Sequence, residues 1–150
     1  MAHKIALNSG LEIFEIEFKD RGEKAEFAFN PSDPDLSKRL FEAQKIIDER
    51  TKEVKQFETD ENGMPVADSC MEYLNSINQV VYDAIDYAFG NKISNVVFKY
   101  CSPFAVVNGE YYIWNFINGI TPVLQDIIGK DRKKASDNMN KHLAKYAKKK

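Results

Sequence analysis

The chain has 150 residues, 43% hydrophobic and 29% charged, which is the composition of an ordinary globular domain. It contains no apolar run of the roughly 18–20 residues that a membrane span needs, so we expect no membrane association. Cys70 and Cys101 stand alone without further cysteines at metal-ligand spacing, which favours a reducing compartment such as the cytoplasm.

Charge is divided unevenly along the chain. Residues 130–150 hold nine Lys/Arg and two Asp, a net charge of +7, whereas residues 1–129 hold twelve Lys/Arg and twenty-one Asp/Glu, a net charge of −9. We therefore expect one globular domain over residues 1–129 and a basic tail over residues 130–150, weakly helical or disordered. Such asymmetry is typical of a binding protein, whose partner could be a protein, a nucleic acid or the chain's own acidic body.

Two alternating runs near the N-terminus predict an antiparallel β-hairpin. The apolar residues at every second position are Phe14, Ile16 and Phe18 in the first run and Ala25, Phe27 and Phe29 in the second. A polar loop with Gly22 joins the runs. Because an isolated hairpin is marginal in water, we expect its apolar face to pack on helices. We expect Phe14, Phe27 and Phe29 to contact Leu40 and Ile47 of the long helix that follows.

That long helix is predicted from its start signals and its periodicity. Ser32 or Asp33 can cap it and Pro34 suits its first turn, and apolar residues then recur every three or four positions from Leu36 to about Phe57. The narrow apolar stripe leaves weak self-association through this helix as an alternative to simple packing.

A second helix is predicted from Asp68 or Ser69 to Gly90, which stands where a left-handed cap would end it. Residues 58–66 before it indicate a solvated linker, and residues 93–98 after it a short helical turn. Asp83 and Asp86, one turn apart, are interpreted as part of the solvated face of this helix.

The stretch from residue 102 to residue 128 has two interpretations. The pattern favours a loop over residues 102–109 and a helix over residues 110–128 that Pro122 kinks and Gly129 could end. A hairpin over residues 104–114 stays open as the alternative, because Asn-Gly between β-formers is a strong turn signal. The predicted fold is therefore α+β, mainly α: an N-terminal antiparallel β-hairpin packed on about four helices, with a basic C-terminal tail.

Catalytic motifs are missing from the sequence. The only histidines are His3 at the start and His142 in the tail, so the body offers no Ser-His or Cys-His pair. The seven glycines are spread singly and form no phosphate-binding loop. We therefore expect no enzyme, no cofactor and no metal.

The residues expected to bind a partner lie in an aromatic segment and in the basic tail. They are Tyr111, Tyr112, Trp114, Lys141, Lys145 and Tyr146. An aromatic surplus usually marks a protein interface, and the acidic body argues against nucleic acid as the partner.

Three stretches together resemble a known family. The first is the strand Gly-Leu-Glu-Ile-Phe-Glu-Ile-Glu-Phe, followed by Asn30-Pro31-Ser32 and the long helix. The second is the helix end from Val80 to Gly90, which leads into Val96-Val97-Phe98 and Ser102-Pro103. The third is residues 109–128, followed by a Lys-rich end that contains Lys145-Tyr146. In this order they are similar to the small tail assembly chaperones of long-tailed bacteriophages, and of prophages, of Gram-positive bacteria.

The resemblance implies a mainly helical protein of the bacterial host cytoplasm with an N-terminal β element. It implies a chaperone that coats the tape-measure protein, keeps it soluble and delivers it to the tail-tube protein, a second expected partner. Two other classes fit the same composition. One is a structural component of the virion, such as a tail-completion or head–tail connector protein. The other is a nucleic-acid-associated regulator that uses the basic tail.

Overall fold

The computed structural model describes residues 1–53 and 58–148, and it has the predicted α+β, mainly α fold. The elements in chain order are β1 (Glu12–Phe18), β2 (Glu23–Phe29), α1 (Asp35–Glu53), α2 (Ala67–Phe89), α3 (Ser94–Val97), β3 (Val106–Val107), β4 (Glu110–Tyr111) and α4 (Tyr112–Lys148). β1 pairs with β2 and β3 with β4, each antiparallel.

The predicted N-terminal hairpin is confirmed, and its apolar face enters the core. Phe14 stands opposite Phe27, and the rings of Phe14 and Phe29 stack with their centroids 4.6 Å apart. Phe29 meets Phe89 of α2 edge-on at 4.8 Å, and Phe27 approaches Phe116 of α4 at 6.2 Å. The hairpin is thus anchored on α2 and α4.

The contacts expected between the hairpin and α1 stay a prediction. Leu40 and Ile47 of α1 are partly buried against the same core cluster, but the ring contacts of the hairpin face go to α2 and α4. The helix itself begins as expected: the Asp33 carboxylate accepts a hydrogen bond from the Asp35 N–H at 2.9 Å. Its predicted end near Phe57 lies outside the described residues.

Helix α2 is confirmed, with its left-handed cap. It begins at Ala67, and Gly90 has φ 67° and donates its N–H to the Tyr87 carbonyl. The prediction that Asp83 and Asp86 share a solvated face is wrong for Asp86. Its carboxylate accepts hydrogen bonds from the N–H groups of Ile93 and Ser94 and from the Ser94 hydroxyl, at 2.8–2.9 Å. A half-buried carboxylate therefore holds the junction between α2 and α3.

The loop predicted over residues 102–109 is partly wrong. Val106 pairs with Tyr111 and Val107 with Glu110 around Asn108 and Gly109, which have φ 55° and 79°. Asn-Gly is a dipeptide that adopts two successive positive φ angles readily, so this segment forms a turn despite the helical spacing of its apolar residues. The hairpin is shorter than the alternative over residues 104–114, because α4 begins at Tyr112.

Helix α4 does not end before Gly129 but continues to Lys148, with Pro122 inside it. The Lys130 ammonium and the Asp126 carboxylate form an ion pair across Gly129 at 3.0 Å. The last residue that is not exposed is Asp131, which accepts a hydrogen bond from the Ser32 hydroxyl. The basic segment is therefore helical through Lys148, and the domain boundary at residue 129 stays a prediction. No helix among the described residues has the length and apolarity to cross a membrane.

Candidate partner-binding surfaces

The predicted partner-binding residues all lie at or near the two ends of α4. Tyr111 and Trp114 are about half exposed, at 49% and 54% of their surface, and the Tyr111 ring meets Phe104 edge-on. Tyr112 is half-buried: its hydroxyl donates to the Val97 carbonyl at 2.9 Å, and burial raises the pKa of Tyr112. In the first cluster the rings of Tyr111 and Trp114 are therefore exposed to solvent, whereas the ring of Tyr112 is fixed by packing and a hydrogen bond.

The second cluster is remote from the first. Lys141, Lys145 and Tyr146 are exposed on the last turns of α4. Twenty-seven residues separate Trp114 from Lys141, which corresponds to about 40 Å of helix. One compact contact cannot include both clusters, whereas an elongated partner can.

The end of α4 extends beyond the body and has an exposed apolar side. Every residue from 132 to 147 is exposed, and we call this segment the C-terminal arm. Met139, Leu143 and Tyr146 are 64%, 59% and 71% exposed and follow one another at spacings of four and three. That spacing places them on the same side of the helix as Ile128 and Leu124, which pack on the core. The apolar stripe of α4 therefore continues beyond the body that it covers.

The arm carries its positive charge mainly on one side. Lys134, Lys141 and Lys145, at spacings of seven and four, lie on the side of the helix nearly opposite the apolar stripe, and Asp137 lies among them. From Ser136 onward the side between the lysines and the stripe carries small or uncharged residues, among them Asn140, Ala144 and Ala147.

A groove opens between β1 and the first turns of α4, and we call it the hairpin groove. It has a volume of about 800 Å³ and is open to solvent along its length. Its apolar lining consists of Phe14, Ile16, Phe18, Phe27, Val107, Tyr112, Phe116, Ile120 and Val123. Gly119 lies in the same wall, and a Cβ added there would have no heavy atom within 4 Å. The groove therefore has room for large apolar side chains from another molecule.

The two walls of the hairpin groove differ in charge. The β1 wall and the turn after it contribute Glu15, Glu17 and Asp20, with Lys19 as the one cation. The Lys24 ammonium approaches Glu15 at 3.6 Å, so that carboxylate is partly compensated. The α4 wall contributes no charged residue; its polar lining is Asn115 and Gly119. Glu15 and Glu17 alternate with Phe14, Ile16 and Phe18 along β1, so their carboxylates lie on the face of the hairpin away from the apolar lining.

The hairpin groove was not predicted from the sequence. Its walls lie about a hundred residues apart in the chain, and only the glycine inside an amphipathic helix could have hinted at a close approach or an opening there. Asp86 was missed for a similar reason, since its partners belong to the next helix.

Residues 1–53 and 58–148 contain no group of three or more His, Cys, Asp or Glu side chains that could hold a metal ion. Each buried side-chain nitrogen or oxygen among them has a hydrogen-bond partner. The candidate binding features of these residues are the hairpin groove, the exposed rings of Tyr111 and Trp114, and the C-terminal arm.

Comparison with protein-family models, with curated proteins and with solved structures gives no match to the chain.

Proposed function

We propose that the protein is a phage tail assembly chaperone, which binds the tape-measure protein and keeps it soluble while the tail tube assembles. The class is proposed from the resemblance of three sequence stretches to tail assembly chaperones. The hairpin groove is the structural observation that supports the proposal most directly. The location that goes with this role is the cytoplasm of the bacterial host, and the tail-tube protein is a second partner. The role requires binding and no turnover.

The hairpin groove suits an amphipathic helix as its ligand. Its floor is built from aromatic and aliphatic side chains, and its two long walls run along a strand and a helix. Helices that dock in such grooves present apolar residues at spacings of three, four and seven. A long helical chain with repeated apolar stripes has many such sites and needs them covered before assembly.

The separation of the two exposed clusters supports an elongated partner. Trp114 in the first turn of α4 and Tyr146 on the arm are separated by about 48 Å of helix. Several copies bound along one extended chain would each contribute weak contacts, and their linkage through that chain would raise the overall affinity. Weak individual sites also allow the chaperone to be displaced when the tube polymerises.

Co-expression with the cognate tape-measure protein tests this proposal. The wild-type chain should raise the soluble yield of the tape-measure protein and purify with it as a complex containing many copies. Gly119→Leu places a side chain inside the groove and should reduce that yield, because the groove is then filled. The matched control is Gly129→Leu, which lies in the same helix, has equally open surroundings and is outside the groove.

Three outcomes would contradict the proposal. If the tape-measure protein stays insoluble with the wild-type chain, the chaperone role is excluded. If the chain is found in purified virions, the structural tail-completion or connector class takes its place. A steep salt-dependent affinity for DNA, with no effect on the tape-measure protein, would identify the nucleic-acid-associated class instead.

A further inference from the structure

We propose that residues 4–8 of one copy, which we call the N-terminal segment, add as a third strand to the free edge of β1 in a second copy. The free protein then self-associates by strand addition. The inference does not depend on the tape-measure protein, because both surfaces belong to this chain. The added strand lies in the hairpin groove, so self-association and the binding of a helix there are alternative states of the protein.

The free edge of β1 forms one wall of the hairpin groove. β1 pairs with β2 on one side, and residues 14–18 all line the groove on the other. Glu15 and Glu17 belong to that lining although their carboxylates lie on the other face of the hairpin, so they line it with their backbone. In an antiparallel pair every second residue directs its N–H and C=O away from the partner strand. Among the described residues, no turn or side chain forms a hydrogen bond with the backbone of residues 12–17.

The other edge of the hairpin is covered by its own chain. The Asn91 side chain donates a hydrogen bond to the Ala28 carbonyl at 2.7 Å, and the Lys99 ammonium pairs with Glu23 at 3.6 Å. The chain after α2 therefore runs along β2. A further strand has access to β1 only, where unpaired backbone groups are ready to pair with another extended chain.

The N-terminal segment has the pattern of a strand. Residues 1–11 form no helix or strand, and Ile5 and Leu7, at every second position, are 82% and 88% exposed. Extended, its five residues span about 17 Å, the same length as residues 14–18 of β1. Asn30, which follows β2, donates a hydrogen bond to the Ser9 carbonyl at 3.0 Å, so the end of the segment is held beside β2 and not beside the groove. The edge that the segment fits is therefore that of a second molecule.

The apolar face of the added strand matches the groove floor. Ile5 and Leu7 would lie against Phe116 and Ile120 of the α4 wall, where Gly119 leaves room for their side chains. Two aliphatic side chains that are now almost fully exposed would be removed from water.

The other face of the added strand matches the charge of the hairpin. Strand alternation directs Lys4 to the side of the sheet that carries Glu15, Glu17 and Glu26. Lys24 is the one cation opposite these three carboxylates, and it approaches Glu15 at 3.6 Å. Lys4 therefore adds positive charge where the face is acidic. The reverse placement would set a lysine on the apolar floor, so charge and apolarity select the same face of the segment.

A pair of variants tests the two surfaces separately. Ile5→Gln/Leu7→Gln removes the apolar side chains of the segment without changing its charge, and Gly119→Leu fills the groove beside β1. Ala6→Gln on the other face of the segment and Gly129→Leu outside the groove are the matched controls. Sedimentation equilibrium should show self-association of the wild-type chain and of both controls, weakened at least about tenfold in each test variant.

The charge match has its own test. Lys4→Glu places a fourth carboxylate on the acidic face and should weaken self-association several-fold at about 50 mM salt. At about 500 mM salt the difference from the wild-type chain should shrink, because the charges are screened. A variant that associates like the wild-type chain at low salt would contradict the assigned face.

Mixing the two test variants distinguishes segment-on-edge docking from other modes. The segment variant keeps an open groove, and the groove variant keeps an intact segment. Each alone should be monomeric at concentrations where the wild-type chain associates, whereas the mixture should form a heteromer through the one intact segment and the one open groove.

Amide hydrogen exchange identifies strand pairing directly. At concentrations where the wild-type chain associates, every second N–H of β1, directed away from β2, should gain protection together with N–H groups of the segment. In dilute solution the same groups should exchange freely. A helix in the groove, or a contact through side chains alone, would leave the edge amides of β1 without this alternating protection.

Each remaining outcome overturns the inference. A wild-type chain that is monomeric at about 100 µM has no such contact. Unchanged association of either test variant, or a mixture that stays monomeric, places the contact elsewhere. Protection of the β1 edge that is independent of concentration would mean that the segment folds back on its own hairpin. If the wild-type chain is monomeric while Gly119→Leu abolishes solubilisation of the tape-measure protein, the groove serves the partner alone and the proposed function stands without self-association.

Discussion

At the scale of single residues, Asp86 is the side chain whose position departs furthest from its sequence interpretation. Its two oxygens accept three hydrogen bonds that fix the start of α3 against the end of α2. We expect Asp86→Ala to lower the free energy of unfolding by about 2–3 kcal/mol, because two backbone N–H groups lose their acceptor in a half-buried place. Urea denaturation monitored by circular dichroism measures the change.

Asp83 provides the matched control for Asp86. It lies three residues earlier on the same helix and forms an ion pair with Arg50 at 3.2 Å, with both side chains 45% exposed. An exposed pair of this kind contributes about 1 kcal/mol or less, so Asp83→Ala should cost clearly less than Asp86→Ala. Equal costs for the two variants would refute the assigned role of Asp86.

Phe27 tests how firmly the hairpin belongs to the core. Its side chain is 7% exposed and contacts the rings of Phe14, Phe29 and Phe116. Phe27→Ala should therefore cost about 3–5 kcal/mol in chemical denaturation, as for other buried phenylalanines. Ile13→Ala, on the opposite face of the same hairpin and 71% exposed, should cost less than about 1 kcal/mol. A cost below about 1 kcal/mol for Phe27→Ala would mean that its face is open to solvent.

Asp33 makes stability depend on acid pH. The hydrogen bond from the Asp35 N–H, together with the Arg39 guanidinium, holds the pKa of Asp33 below its ordinary value of 3.8. A carboxylate whose pKa is lower in the folded chain stabilises the fold above its unfolded pKa, and this contribution is lost as the pH falls through the folded pKa.

The pH dependence of Asp33→Asn follows from that sign. The difference in unfolding free energy between wild type and Asp33→Asn should be constant above about pH 5 and shrink below about pH 4. Denaturation at a series of pH values measures it, and the other carboxylates cancel because they are common to both chains. A difference that stays constant from pH 6 down to pH 2 would contradict the lowered pKa.

At the scale of elements, local periodicity predicted the N-terminal hairpin and α2, because each has a strict apolar repeat and a terminating residue. The same reasoning failed where two local signals competed. Asn108-Gly109 formed a turn inside a segment with helical spacing, and Gly129 did not end α4 although it could have. A helix passes through glycine when its neighbours favour helix, and the pair of Asp126 with Lys130 across Gly129 does so. The groove could not be predicted, since it exists only after β1 and α4 approach each other.

The two glycines inside α4 offer a direct test of that element. Gly119 and Gly129 are both helical, and an added Cβ would meet no heavy atom within 4 Å at either position. Gly119→Ala and Gly129→Ala should each raise the free energy of unfolding by about 0.5–1 kcal/mol, because alanine loses less backbone entropy on forming a helix.

Thermal denaturation of the two single variants and the double variant measures the effect of these glycines. The sites are ten residues apart and share no partner, so their effects should add. A loss of stability at Gly129 would contradict a helix that continues through that position.

At the scale of the whole molecule, one core holds the hairpin, α1, α2, α3 and the first half of α4, and the arm lies outside it. Val81, Ala84 and Ala88 of α2 are almost fully buried at the centre of that core. The arm is helical but has no buried side chain to support it. The acidic body therefore has a buried core, whereas the described residues of the basic arm from 132 to 147 are all exposed.

Hydrogen exchange should reveal this division as a gradient along the chain. Amides of α2 should exchange only through global unfolding, since opening them exposes the centre of the core. Amides of the arm should exchange within about tenfold of unfolded rates in dilute solution, because an unsupported helix of this length is marginal in water. Arm amides as protected as those of α2 in dilute solution would place the arm inside the cooperative fold and contradict the division.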